Sequence, residues 1–428
     1  MALWHWHHVL PKRRSTKVKV FLLAVLLLAV IVYILKVNQG GHSVTDHVEI
    51  SWAEAEKCPA CFGDTCELLH RGHFRKVHSD KPLKKGPVSI GNVDGTTAIA
   101  KALGEEEVWQ RYDRYICRMA SRPAKCNSSE SFILETMLVT DAALKLGWLR
   151  EAWRISHKEK STLSVCLSAR FLHEVKQLYV ESESAEVDSV GRAFLSTSLL
   201  LNEEAVLLRY FTTKSTTLWP FPKFYGACGR VIVVEHAGGT LDTFMDSPWE
   251  VRADIAVQLL QLIGTLLEKD PDWVLFFVDV SLQNFAVDSR GWVRLIDLDD
   301  VMVIDRRAVV THEEQAEMCN EQCYMDFQQK LFSDQYHCKD ILKYTPMMYA
   351  SICARLLSNL HKHPERRKWG ETSEESEEQN VGDKGLLHDP PIEIMGPLEG
   401  ALGQCVQETE PGGRLNAVLT LQRILKMT

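Results

Sequence analysis

The chain has no excess of basic residues. Its 49 Lys and Arg are outnumbered by 57 Asp and Glu, a formal net charge of -8, and no sustained basic groove can be assembled. A nucleic-acid partner is therefore not expected, since Lys and Arg supply most of the affinity for phosphate backbones. No internal repeat is evident. Cys58-Pro-Ala-Cys61 has no second Cys-x-x-Cys to accompany it, and Cys319-x-x-x-Cys323 lacks a paired His spacing. Both absences weigh against a zinc or redox protein.

The chain is long enough for more than a minimal core. It has 428 residues, 45% of them hydrophobic, which suffices for one or two domains. An uncharged apolar run, Val20 to Leu35, follows the basic cluster Lys12-Arg13-Arg14, Lys17 and Lys19. As a helix it spans roughly 24 Å at about 1.5 Å per residue, short for a plasma membrane but compatible with a thinner secretory one. A cleaved signal peptide and an uncleaved signal anchor compete. No small-x-small site follows cleanly, so the anchor is favoured. The positive-inside rule then makes 1–19 a cytosolic basic tail, 20–36 the transmembrane helix and 37–57 a lumenal stem. Twelve cysteines suit that compartment and read as a disulfide framework of undetermined connectivity. Asn127-Ser-Ser129 is an N-glycosylation acceptor if lumenal and exposed.

Pro87 to Lys101 reads as a hairpin turning at Asp94-Gly95, and its second strand ends Ala98-Ile-Ala-Lys101. Gly104 to Ala120 is predicted helical, with acidic residues at its start. Helical periodicity dominates from about 130 to 215, most clearly over Val165–Tyr179 and Ala193–Tyr210. Trp219-Pro-Phe-Pro222 breaks it. Val231-Ile-Val-Val-Glu-His-Ala-Gly-Gly-Thr-Leu241 reads as a buried strand ending in a glycine turn. Trp249 to Asp270 is an amphipathic helix with Ala253, Ala256, Leu259, Leu260, Ile263 and Leu267 on one face. Residues 371–384 form an acidic low-complexity loop.

The chemistry-bearing segment follows the long helix. Phe277-Val-Asp-Val-Ser-Leu-Gln-Asn-Phe-Ala-Val287 precedes Trp292-Val-Arg-Leu-Ile-Asp-Leu-Asp299. An Asp, an Asn five residues on, then a strand ending in Asp is the core of a protein-kinase catalytic loop and metal segment. These motifs, with Lys57-Cys-Pro-Ala-Cys-Phe-Gly63, Trp219-Pro-Phe-Pro-Lys-Phe-Tyr-Gly-Ala-Cys-Gly-Arg230 and Gly385-Leu-Leu-His-Asp-Pro-Pro391, resemble the divergent protein kinase domain 2 family, of the deleted-in-autism-1 type. The resemblance implies an α+β, bilobal protein-kinase-like fold with disulfide bonds. The small lobe with a helical insert would occupy 58–235 and the large lobe 236–428. It further implies a Golgi-associated or secreted protein with ATP and Mg2+ or Mn2+ as cofactors.

Carried onto this chain, the resemblance makes Lys101 the phosphate-holding lysine, Asp279 the catalytic base, and Asn284 and Asp297 metal ligands. The backbone from Glu235 to Ala237 would face an adenine ring. The departures are as informative. Phe277 and Val278 stand where kinases carry His and Arg, Ser281 replaces a Lys, and Asp297-Leu-Asp299 has lost its glycine. No glycine-rich loop stands at normal distance before Lys101, and no Ala-Pro-Glu follows Asp297. Glu105, Glu106, Glu107 and Asp113 offer no clear choice of acidic partner for Lys101. Two functions are expected from this mixture. One is phosphorylation of a lumenal or extracellular target. The other is a pseudokinase acting as a secreted or membrane-tethered paracrine factor on a cell-surface receptor.

Overall fold

Asp94 and Gly95 both take positive φ, 49° and 82°, as a tight two-residue hairpin turn requires. The hairpin read from the sequence is therefore present, pairing Val93 with Thr96 and Val88 with Lys101. In this computed structural model the described residues are 50–76, 88–135, 166–179, 189–214, 219–299, 301–308, 323, 326, 338–358 and 384–427. Apart from Ile50 they belong to one compact unit, Ser51–Thr428. The basic tail, the anchor, most of the stem and all but Lys384 of the acidic loop lie outside the described residues. Among those described, no helix is long and apolar enough to cross a membrane.

The first part of the unit is a six-stranded antiparallel sheet. It is built from β1 (Gly63–Asp64), β2 (Arg75–Lys76), β3 (Val88–Val93), β4 (Thr96–Ala102), β5 (Phe224–Gly229) and β6 (Val231–Glu235). The strand order is β1-β5-β6-β4-β3-β2. Helices enter between these strands: α1 (Glu67–Arg71), α2 (Glu106–Met119), α3 (Ser128–Glu135), α4 (Ala169–Lys176), α5 (Ser189–Leu201) and α6 (Glu204–Lys214). In α2, Trp109, Tyr112, Tyr115 and Ile116 are buried at helical spacing. The continuous Val231–Val234 run is buried throughout, as expected for an interior strand.

Two expected helices are shorter than their periodicity. Ser168 caps α4 by accepting from the Phe171 N–H at 3.0 Å, so that helix starts at Ala169, and Val165 lies outside the described residues. The Ala193–Tyr210 stretch is two helices. Asn202 Oδ1 accepts from the Glu204 N–H at 2.9 Å, which ends α5 and starts α6. The periodicity continues across the break because both helices bury apolar residues.

The second part begins with β7 (Gly239–Thr240) and α7 (Trp249–Glu268), followed by β8 (Trp273–Phe277), β9 (Phe285–Val287), β10 (Val293–Leu295) and β11 (Val301–Asp305). All six residues assigned to the inner face of the long helix are buried. Strands β9 and β10 form a hairpin, with β7 on the other side of β9, and β8 pairs with β11. Helices α8 (Cys338–Ile341), α9 (Met347–Ile352), α10 (Met395–Val406) and α11 (Gly413–Leu425) complete this part. Disulfides join Cys58 to Cys61, Cys66 to Cys228, Cys117 to Cys126, Cys166 to Cys338 and Cys353 to Cys405. No described cysteine is free.

The chain leaves the large sheet at Glu235 and enters the three-stranded sheet at Gly239. Gly238 lies between them at φ 95°, and a Cβ there would stand 1.8 Å from the Val287 carbonyl oxygen. Positive φ and that collision both demand glycine. Gly238→Ala is expected to destabilise the protein by roughly 2 kcal/mol or more, since strain and overpacking add. Urea unfolding measures this, and an unchanged midpoint would mean that β9 retreats without cost.

Candidate active site

Two separate elements bring their side chains to Lys101. The lysine sits near the end of β4, opposite Ile232 of β6. Its Nζ donates to Glu204 Oε2 at 2.8 Å and to Asp297 Oδ1 at 2.7 Å. Glu204 is the first residue of α6, and Asp297 lies in the link from β10 to β11. The Lys101 side chain is 16% exposed, against 1% for Glu204 and 8% for Asp297. The lysine and its two carboxylates are therefore largely screened from water, and their charges interact more strongly than on a surface.

The loop between β8 and β9 carries Asp279 and Asn284. Asn284 Nδ2 donates to both the Asp279 carbonyl and Asp279 Oδ2, each at 2.8 Å. The Ile296 N–H donates to the Asn284 carbonyl at 2.9 Å, which fixes this loop to the residue before Asp297. The Leu295 N–H in turn donates to the Pro220 carbonyl at 2.9 Å. Trp219-Pro-Phe-Pro222 thus positions the strand that delivers Asp297. Asn284 is buried and Asp279 is half-buried, so the aspartate remains accessible from solvent. Phe277 and Val278 are buried in the core, which suits the apolar residues found in place of His and Arg.

Charge in this cluster is unbalanced. Burial alone would lower the Lys101 pKa. Glu204, then Asp297 and Asp299, outweigh it and hold the ammonium charged well above its ordinary range. Glu204 moves the other way from a typical paired carboxylate. Burial pushes its carboxyl up, Lys101 pulls it down, and Asp297 and Asp299 push it up again. One ammonium cannot offset three carboxylates. Asn284 and Asp297, with Asp299 nearby in sequence, supply hard oxygen donors of the kind that Mg2+ or Mn2+ prefers. An uncompensated set of carboxylates beside an Asn fits a divalent cation by its chemistry. No group of three or more His, Cys, Asp or Glu forms a metal cluster among the described residues.

The other sequence-derived candidates fall in different places. Glu235 ends β6, and its N–H donates to the Lys223 carbonyl at 2.8 Å. The His236 N–H donates to Thr97 at 3.0 Å, and Ala237 is buried in the passage between the two sheets. Asn127 is exposed, and its Oδ1 accepts from the Ser129 N–H at 3.1 Å at the start of α3. None of Glu105, Glu106, Glu107 or Asp113 pairs with Lys101. Asp113 instead holds Arg230 at 2.6 Å. The partner, Glu204, was hidden inside an apparently continuous helix. Asn202 followed by two glutamates is the capping signal that marks it.

Known proteins are similar to this chain in sequence. The family model described as the protein-kinase domain of FAM69 matches residues 196–408. Divergent protein kinase domain 2A of Homo sapiens is 27% identical over 456 residues, covering 98% of each chain. Its Xenopus tropicalis counterpart is 28% identical over 405 residues, 86% of each. Divergent protein kinase domain 2B of Homo sapiens is 30% identical over 278 residues, 59% of this chain and 60% of its own.

The chain belongs to the divergent protein kinase domain 2 family. Its α+β, disulfide-bonded unit is a kinase-like domain. The matched segment of this kinase-like chain contains Glu204, Asp279, Asn284 and Asp297 but stops short of Lys101. Lys101, read from Ala98-Ile-Ala-Lys101 in the sequence, is joined to the matched segment by its ion pairs to Glu204 and Asp297. In this kinase-like domain β2, β3 and β4 are neighbours in the sheet, and residues 77–87, between β2 and β3 in sequence, lie outside the described residues. That connection has one glycine, Gly86, and Lys81, Lys84 and Lys85. Asp94-Gly95 is the turn between β3 and β4.

A pH dependence follows from Glu204. Its folded pKa is raised, so its contribution to stability is complete below the ordinary carboxylate range and is lost as pH rises through the folded value. Without divalent cations, stability from this group is expected to fall from about pH 5 toward slightly alkaline pH. Glu204→Gln should remove that component of the decline. Denaturant midpoints across the range check it, and identical slopes for both proteins would refute it.

Proposed function

We propose that this protein is a bilobal, kinase-like phosphotransferase of the secretory pathway, anchored in the Golgi membrane or released from it. It would use ATP with Mg2+ or Mn2+ on a lumenal or extracellular protein. The observation that carries the reading is Lys101 held between Glu204 and Asp297, beside the Asp279–Asn284 pair. Lys101 would bind phosphate oxygens of the nucleotide, and Glu204 would keep the ammonium aimed into the cleft. Asn284 and Asp297 would hold the divalent ion, which supplies neutralisation of phosphate charge. Asp279, half-buried with its carboxylate held by Asn284, would orient the acceptor hydroxyl and receive its proton. Glu235 to Ala237 would border the adenine.

A second reading, a pseudokinase working as a paracrine factor on a cell-surface receptor, is favoured by a specific observation. The Glu235 and His236 N–H groups are already bonded within the protein, to the Lys223 and Thr97 carbonyls. These bonds reduce the backbone donors free to meet a nucleotide.

The full-length chain in nonionic detergent separates the readings. ATP with Mg2+ at about a hundred times its Kd should stabilise it by about 2.7 kcal/mol, read as a raised Tm. Asp297→Asn should abolish that shift. Asp279→Asn should keep the shift and lose phosphoryl transfer to a mixed peptide library. No shift in the unsubstituted protein defeats the phosphotransferase. Receptor-bearing cells that bind the Asp279→Asn protein unchanged would then support the signalling factor.

A further inference from the structure

We infer that the chain carries a second binding site, a cavity that takes a free apolar α-amino acid, with its carboxylate at Arg306, its ammonium at Glu268 and its side chain against Leu415. The cavity has a volume of about 470 Å3 and lies among the end of α7, the link to β8, the residue after β11, and helices α9 and α11. Its apolar wall is Leu267, Pro271, Pro346 and Leu415. That volume is within the range of ordinary ligand sites, which combine such a wall with a few polar groups.

Three polar groups of the lining are not spent on internal contacts. Tyr349 is 6% exposed, and its hydroxyl has no hydrogen-bond partner among the described residues. The hydroxyl is not sealed off. It keeps accessible surface, and Tyr349 lines the cavity. Gly264, inside α7, leaves room for it. A Cβ there would meet only this hydroxyl, at 3.2 Å, and glycine is otherwise unfavourable within a helix. Burial, then the Glu268 carboxylate, push the hydroxyl up to about 12, so it stays protonated and can donate. Arg306 donates through Nε to the Asp270 carbonyl at 3.0 Å and through one terminal nitrogen to the Leu267 carbonyl. Its other terminal nitrogen bonds nothing among the described residues, and no described carboxylate forms an ion pair with it. Glu268 is exposed and likewise makes no ion pair among the described residues.

Capping the end of α7 accounts for two nitrogens of Arg306 but not for the third. Water would meet each polar group singly and leave the apolar wall unused. A simple carboxylic acid would bring its charge up against Glu268, and a simple amine would leave Arg306 unpaired. A zwitterion with an apolar side chain uses every feature, its carboxylate taking the Arg306 and Tyr349 donors. The site shares no residue with the Lys101 cluster, so it stands under either reading of function.

The test titrates the full-length chain in nonionic detergent with L-phenylalanine, 3-phenylpropionate, phenethylamine and L-serine. Binding is followed by calorimetry and ligand-observed NMR. Saturable binding of phenylalanine is expected, with the other three at least tenfold weaker. Tyr349→Phe should weaken phenylalanine about tenfold or more, since a hydrogen bond to a charged group is lost. Glu268→Gln should weaken phenylalanine to a similar degree without weakening 3-phenylpropionate. Asp297→Asn should bind as the unsubstituted chain does. Tyr349→Phe removes one oxygen and Glu268 is exposed, so unchanged Tm values are expected for both variants. Should Tyr349→Phe melt early, Glu268→Gln decides. No saturable binding, or unchanged affinity in Glu268→Gln, would overturn the site. Equal binding of 3-phenylpropionate or phenethylamine would overturn the zwitterion assignment, and equal binding of serine the role of the apolar wall.

Discussion

One ammonium group organises this molecule. Lys101 joins a strand of the large sheet to the first turn of α6 and to the link before β11. These elements are far apart in sequence and come from both parts of the unit. Two largely buried carboxylates at hydrogen-bond distance from one buried cation leave little freedom, because separating any member strands an uncompensated charge. The position of α6, the strand register of β4 and the approach of Asp297 are therefore mutually dependent.

The surrounding structure is arranged to hold those three pieces still. Asn202 starts α6 at the residue that must carry the glutamate. The Trp219–Pro222 segment bonds β10, and the Asn284 carbonyl bonds the next residue, Ile296. On the far side, Arg170 of α4 donates to Asp305 at the end of β11 and lies over Trp273 of β8. Cys166, just before that helix, is bridged to Cys338. The inserted helices therefore do more than lengthen the chain. They brace α6 and the β8–β11 pair, between which the site is assembled. Phe171 of α4 packs against Tyr210 and Phe211 of α6 as well as Trp273.

The same excess of carboxylates that raises Glu204 is what the proposed divalent cation would offset. Asp299 occupies a position where protein kinases carry glycine, and it adds negative charge where there is already too much for Lys101. A site rebuilt for structure alone would gain by losing one of these acids.

Much of this was legible from residue order. The Asp94-Gly95 hairpin, the buried Val231–Val234 strand, the long α7 and the Asp279, Asn284 and Asp297 spacing are local features, dictated by turn chemistry, periodicity and short-range geometry. The partner of Lys101 was not legible, because 103 residues separate it from Glu204 and unbroken hydrophobic periodicity concealed the start of α6. Disulfide connectivity was equally closed to sequence, since pairing depends on which strands lie side by side. Sequence alone determined which chemical groups the protein possesses and which short segments carry them. Tertiary structure decided which of several acidic residues meets the lysine, because an ion pair depends on distance in space and not on position along the chain.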